Sequence, residues 1–181
     1  WHSIENCPAF ETTTIWENSN FDSNSNPLCR GVKFTAPHTG KIGGVGFILY
    51  SLANWRADIV LQVDGTEAAR KTVGQHNFRQ TYGHIEYPIE PQDVTQGDVC
   101  RLFFKPLSTP DIHLFYVDTA LATSQTTNIV QNEGLGAEWT TSVTDGGAFT
   151  DDANKVPMIW PIYTQLDFGG GAAASGSVFG G

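Results

Sequence analysis

"ADIVLQVDGTEAARKTV", residues 57–73, decides the fold. Ala57, Ile59, Leu61 and Val63 fall on one side of an extended chain and Asp58 and Gln62 on the other, because side chains of a strand alternate. Asp64-Gly65 then offers the left-handed backbone of a tight hairpin turn, which makes residues 66–73 a returning strand. Ala, Arg and Lys within 68–73 also suit a short helix, but the Asp-Gly and Val73-Gly74 boundaries favour the strand.

Outward from this hairpin the same alternation recurs. "GVKFTAP" (31–37) reads as a strand ending at Pro37, and "IGGVGFILY" (42–50) places Val45, Phe47 and Leu49 on one face. The glycines preceding those bulky residues predict a bulge or a close sheet contact. In "GHIEYPIE" (83–90), Ile85, Tyr87 and Ile89 oppose Glu86 and Glu90, and Pro88 predicts an edge strand or a bulge. "VCRLFFKP" (99–106) aligns Cys100, Leu102 and Phe104, and "DIHLFYVDTA" (111–120) supplies a further strand. Residues 121–154 read as irregular apart from one or two short strands around Trp139 to Val143. In "KVPMIWPIYTQLDF" (155–168), Val156, Met158, Trp160 and Ile162 recur at period two, with Pro157 and Pro161 arguing for an edge.

Short strands separated by turn residues, with no βαβ unit, predict an all-β, antiparallel β-sandwich of jelly-roll-like type over residues 31–168. Residues 1–30 read as an N-terminal arm: "AFETTTIW" (9–16) suits a first strand and "ENSNFDSNSNPL" (17–28) a surface loop or contact arm. The Gly/Ala-rich tail, 169–181, has only Val178 and Phe179 as apolar grips, suited to a neighbouring subunit.

Composition agrees with this architecture. Nineteen Gly and nine Pro in 181 residues imply many turns, and 16% charged residues leave Ser, Thr, Asn and Gln to cover the outside. A net charge of -9, with ten scattered Lys and Arg, provides no basic stripe for nucleic acid. No apolar run reaches the length needed for a membrane-spanning helix, so membrane insertion is not expected. A chain opening at Trp1 reads as a processed product or a piece of a longer one. Of the three cysteines, Cys7 and Cys29 are spaced to close a loop by a bridge, while the competing reading is isolated buried thiols.

Chemistry is sparse. The five histidines, His2, His38, His76, His84 and His113, form no HExxH or helical pair, and no GxSxG is present. "GKIGGVG" (40–46) lacks both the GK[ST] ending and a following helix, which excludes a phosphate loop. Asp145, Asp151 and Asp152 gather enough oxygen for calcium without matching an EF-hand, and turn formation explains them equally well. No cofactor is therefore expected. Trp55 and Arg56, between two strands, are the candidates for an interface or a glycan contact. The alternative for Trp55 is to cap the end of the core.

Several phrases together, "VKFTAPHTGKIGGVGFILY", "ADIVLQVDG", "GDVCRLFFKPLSTPDIHLFYVD" and "GAEWTTSVTDGGAFTDDANKVPMIWPIY", resemble a β-sandwich family of structural proteins from tailed bacteriophages and similar particles. The resemblance covers about residues 31–166 and carries no catalytic residue. It implies a noncatalytic virion component (a decoration, fibre or tail protein) whose partners are copies of itself and other particle proteins, in a virion or extracellular setting. Two other readings stand beside it. A carbohydrate-binding module or lectin-like adhesin predicts Trp55 exposed beside polar groups, and a cell-surface glycan hydrolase predicts two carboxylates facing across a cleft.

Overall fold

The Asp64-Gly65 turn forms as its residues require, with φ of 48° and 79° in the left-handed region. It joins β5 (Arg56–Val63) to β6 (Thr66–Gly74), paired antiparallel from Val63–Thr66 to Arg56–Gly74. The structure, a computed structural model, describes residues 2–3, 16–50, 54–74, 83–109, 112–118 and 137–167.

Among the described residues, thirteen strands make two antiparallel sheets. Sheet B runs β11 (Phe149–Asp152), β10 (Glu138–Ser142), β3 (Cys29–Thr35), β8 (Val99–Pro106), β5, β6. Sheet A centres on β4 (Gly40–Tyr50), flanked by β7 (Gly83–Val94) on one side and β13 (Ile159–Leu166) on the other. β9 (Ile112–Asp118) extends it through β2 (Trp16–Phe21) and β12 (Lys155–Pro157), while β1 (His2–Ser3) pairs with β13. From β3 onward the chain passes repeatedly between the sheets, with β3, β5, β6, β8, β10 and β11 in B and β4, β7, β9, β12 and β13 in A. This is the β-sandwich expected from the alternation.

The core fills the space between the sheets. Val45, Phe47 and Leu49 from β4 meet Ile59 and Leu61 from β5 and Leu102 and Phe104 from β8. Phe47 and Phe104 contact edge to face, ring centres 4.9 Å apart, across the two layers. Each such fully buried side chain stabilises the fold by roughly 2–3 kcal/mol, so this inward face dominates.

The N-terminal stretch departs from the expected arm. Trp16–Phe21 forms β2 and pairs along β9, and His2–Ser3 adds to β13. Over these described residues, the chain completes its own sheet. The Asn/Ser run read as loop supplies the strand because β9 offers a complete ladder to it, and ladder pairing overrides a weak local preference. Residues 9–15, within the other strand candidate, and the tail lie outside the described residues.

The run 155–166 also departs, breaking at Met158 instead of forming one strand. β4 and β9 are joined at Leu49–Leu114 and then separate around it. Met158 donates its N–H to the Phe115 carbonyl (2.8 Å) and accepts from Ile48 N–H (3.0 Å). Thus β12 follows β9 towards the fork and β13 returns along β4. Met158, Trp160 and Ile162 do share a face, but it is the outer face of sheet A. There they cluster with Ile48 and Phe115, apart from the main core.

The glycines of β4 explain how that outer face closes. A Cβ on Gly46 would collide with the Trp160 indole, and one on Gly43 would press on Thr164. Side chains of β13 therefore lean over β4, and only glycine leaves them room. Pro88 sits as expected: β7 is an edge strand with a bulge, where Gly43 alone stands opposite Ile89, Glu90 and Pro91.

Candidate functional site

Among the described residues, two places outside the core bear on function. One is the outer face of sheet B. Strand alternation sends Lys33 (β3), Asp58, Val60 and Gln62 (β5), Arg101, Phe103 and Lys105 (β8) and Thr140 (β10) to that side. Asp58 and Gln62, which the alternation predicts as the polar side of a half-buried strand, are both buried.

Their cover is the β10–β11 connection, residues 143–148, which folds back across the sheet. Gly146 accepts a hydrogen bond from Gln62 Nε2 (3.1 Å), and the Cys29 thiol donates to the Thr144 carbonyl (3.3 Å). Asp145 binds Lys105 Nζ at 2.6 Å and Arg70 Nη2 at 3.0 Å. Gly146 has φ of 70°, and a Cβ there would also press on Gln62, so glycine is required twice over. Beneath lie Cys29, Val60 and Phe103, each 0% exposed, with Phe149 edge-on to Phe103 at 5.3 Å.

Arg70 is the hub. It also reaches Asp58 Oδ2 (2.9 Å) and both Glu67 oxygens (2.9 and 2.7 Å), and Asp58 takes a second hydrogen bond from Thr72 (2.7 Å). A buried carboxylate is tolerable only when so satisfied. Nearer the β11 edge, Asp151 accepts from Thr140 (2.7 Å) and Arg101 (2.9 Å) and pairs with Lys33 (3.1 Å).

These partners set the protonation states. Arg70 holds the Glu67 carboxyl below its ordinary range. Burial works to raise Asp145, but hydrogen bonds from Lys105 and Arg70 outweigh it and leave the carboxyl lowered. Asp151 is lowered likewise, burial being overcome by Thr140, Lys33 and Arg101. A general acid at neutral pH needs the opposite displacement. Burial raises the thiols instead, Cys100 to about 12.

The second place is a groove of about 430 Å³ at the β4–β7 bulge. Gly43 and Gly44 form its floor, Pro88, Ile89, Pro91 and Ile162 its apolar walls, and Glu86 and Thr164 its polar positions. Tyr87 also borders it, but packs against the main core. The groove offers shape and one carboxylate, without a nucleophile beside a base.

The sequence candidates fall elsewhere. Trp55 is 3% exposed and belongs to the main core, so it caps the sandwich and presents no ring for a sugar to stack on. Arg56 is exposed, and its backbone is held by Ser108 Oγ (2.8 Å) and Leu107 N–H (2.7 Å). Val178 and Phe179 lie outside the described residues. Asp145 spends its oxygens on Lys105 and Arg70, and Asp151 on Thr140, Lys33 and Arg101, rather than on one shared centre, and among the described residues no group of three or more His, Cys, Asp and Glu could hold a metal ion. Cys29 is a free buried thiol, not half of a bridge. Among the described residues no helix is long and apolar enough to cross a membrane.

Sequence reasoning missed Arg70 and Lys105. The available signal was "TDGG" at 144–147, an acid beside glycines in a loop, which read as turn chemistry and named no partner strand. No family model, no curated protein and no solved structure matches this chain.

Proposed function

We propose that the chain is a noncatalytic structural component of a virion or phage-like particle, acting through contacts with copies of itself and with other particle proteins. The observation that carries this reading is how the acidic side chains are used. On sheet B the carboxylates that converge do so around Arg70, Lys33, Arg101 and Lys105, and those with shifted pKa are lowered. Carboxylates lowered in this way serve to hold a scaffold together, which supports a structural reading. The resemblance over residues 31–166 suggests the particle setting.

The geometry also favours one kind of subunit contact over another. β6 and β7 form the edges of the two sheets and lie against each other along one flank. Both are blunted. β6 carries Arg70, Lys71 and a bulge at Ala68, and β7 carries Pro88, Pro91 and its own bulge. Contacts between subunits are therefore assigned to faces and loops, not to strand addition on this flank.

Light scattering coupled to size-exclusion chromatography at micromolar concentration tests the reading. A defined species of several copies is the expected result, and a strict monomer at every concentration overturns self-assembly.

A further inference from the structure

The loop across sheet B, residues 143–148, lies over an apolar cluster on the outer face of the sheet. Its residues 143, 144, 145, 147 and 148 are exposed, yet together with Leu28 and Phe149 it covers three side chains with no exposure at all. Its own attachments are polar: Asp145 to Arg70 and Lys105, Gly146 to Gln62, Thr144 to Cys29. The ring contacts beside it, Phe149 on Phe103 and Arg101 over Phe149, involve the start of β11. Moreover, Cys29, Val60 and Phe103 form a cluster separated from the main core by the sheet itself.

We infer that residues 143–148 act as an ion-pair-held strap that opens as a unit, independently of the sandwich, and bares an apolar strip of Cys29, Val60 and Phe103. Segments with few buried apolar contacts open locally at far lower free energy than the whole fold. The charged groups around the fastening residue are Arg70 and Glu67 on β6, Lys105 on β8 and Asp58 on β5, with the Cys29 thiol on β3. Loss of the Asp145 charge leaves both cations nearest the strap without its carboxylate. The strap then keeps only its neutral hydrogen bonds. High salt acts in the same direction by screening the partly exposed pairs.

The two described cysteines provide the test. Cys29 lies under the strap, whereas Cys100 lies in the main core, so one thiol reports local opening and the other global unfolding. In a Cys7→Ser chain these are the only thiols. Ellman's reagent is followed in time, with the labelled site assigned by mass spectrometry. Cys29 is expected to label much faster than Cys100, with little dependence on denaturant. Asp145→Asn should raise the Cys29 rate roughly tenfold, the scale of two lost ion pairs, while Cys100 rises by no more than the accompanying loss of global stability and remains far slower and denaturant-dependent. If that variant does not fold, the Cys7→Ser chain in salt up to about 1 M reads the same contact by screening. Equal rates for both thiols with the same denaturant dependence overturn independent opening. Fast Cys29 labelling indifferent to both salt and Asp145→Asn overturns the ion-pair fastening.

Discussion

The outer faces of the two sheets bury similar things in different ways. Each has an aromatic side chain and a glycine: Trp160 lies over Gly46 on sheet A, and Gly31 on sheet B is closed over by the Leu102–Phe103 segment. On sheet A the burial involves a wedge of the chain's own strand, since Met158 enters the fork and Trp160 follows. On sheet B it is completed by a loop held at its charged and polar atoms. The first closure rests on packing, the second on ion pairs and hydrogen bonds. Burial alone thus says little about how firmly a surface is closed.

The largest expected effect breaks the sheet A side. Trp160→Ala should cost about 4 kcal/mol, because a fully buried indole leaves a cavity that the fork cannot easily fill. Urea denaturation with a single transition is the measurement. Gly46→Ala should follow at about 3 kcal/mol, by overpacking against the same ring. Its loss should persist unchanged in high salt. If added salt restored it, the contrast between the faces would fail.

Smaller effects sharpen the sheet B side. Gly146→Ala forces a side chain into left-handed backbone and should cost about 1–2 kcal/mol, read by thermal unfolding. Asp145→Asn should cost about 1 kcal/mol at low salt, after discounting for its exposure, and nearly nothing in about 1 M salt. Acid should act on the same face. Asp145, Glu67 and Asp151 are lowered in the folded state, so their contribution is complete above their ordinary values of 3.8 and 4.5. It is lost as pH falls through the lowered values. A stability profile between pH 6 and 3 should therefore decline at its acid end, less steeply for Asp145→Asn.

The fold was legible because its cue is local. The faces of β4, β5 and β8, the Asp64-Gly65 turn and the edge position of β7 all follow from alternation and from what Gly and Pro permit. The site was not, and Arg70 shows why. Val63 faces Thr66 across the turn, so an unbroken ladder would set Arg70 opposite Ile59, on the core face. The extra residue at Ala68 shifts the register, and Arg70 stands opposite Val60 on the outside. A one-residue slip decides whether the hub exists, and nothing in "TEAARK" marks it. Trp160 misleads in a similar way: its period-two face is real, but which face of the sheet it belongs to depends on the fork at Met158.

The amino-acid order by itself determined that this chain would pleat into short antiparallel strands with one apolar face, since alternation and turn geometry act between neighbours. Only the tertiary structure decided the rest: which outer face is filled by packing, which is fastened by charge, and that Trp55 belongs to the core. Those outcomes depend on register and on partners as much as 115 residues away, as between Cys29 and Thr144. The free energy of such pairings is settled by the assembled sheet and not by any stretch of it.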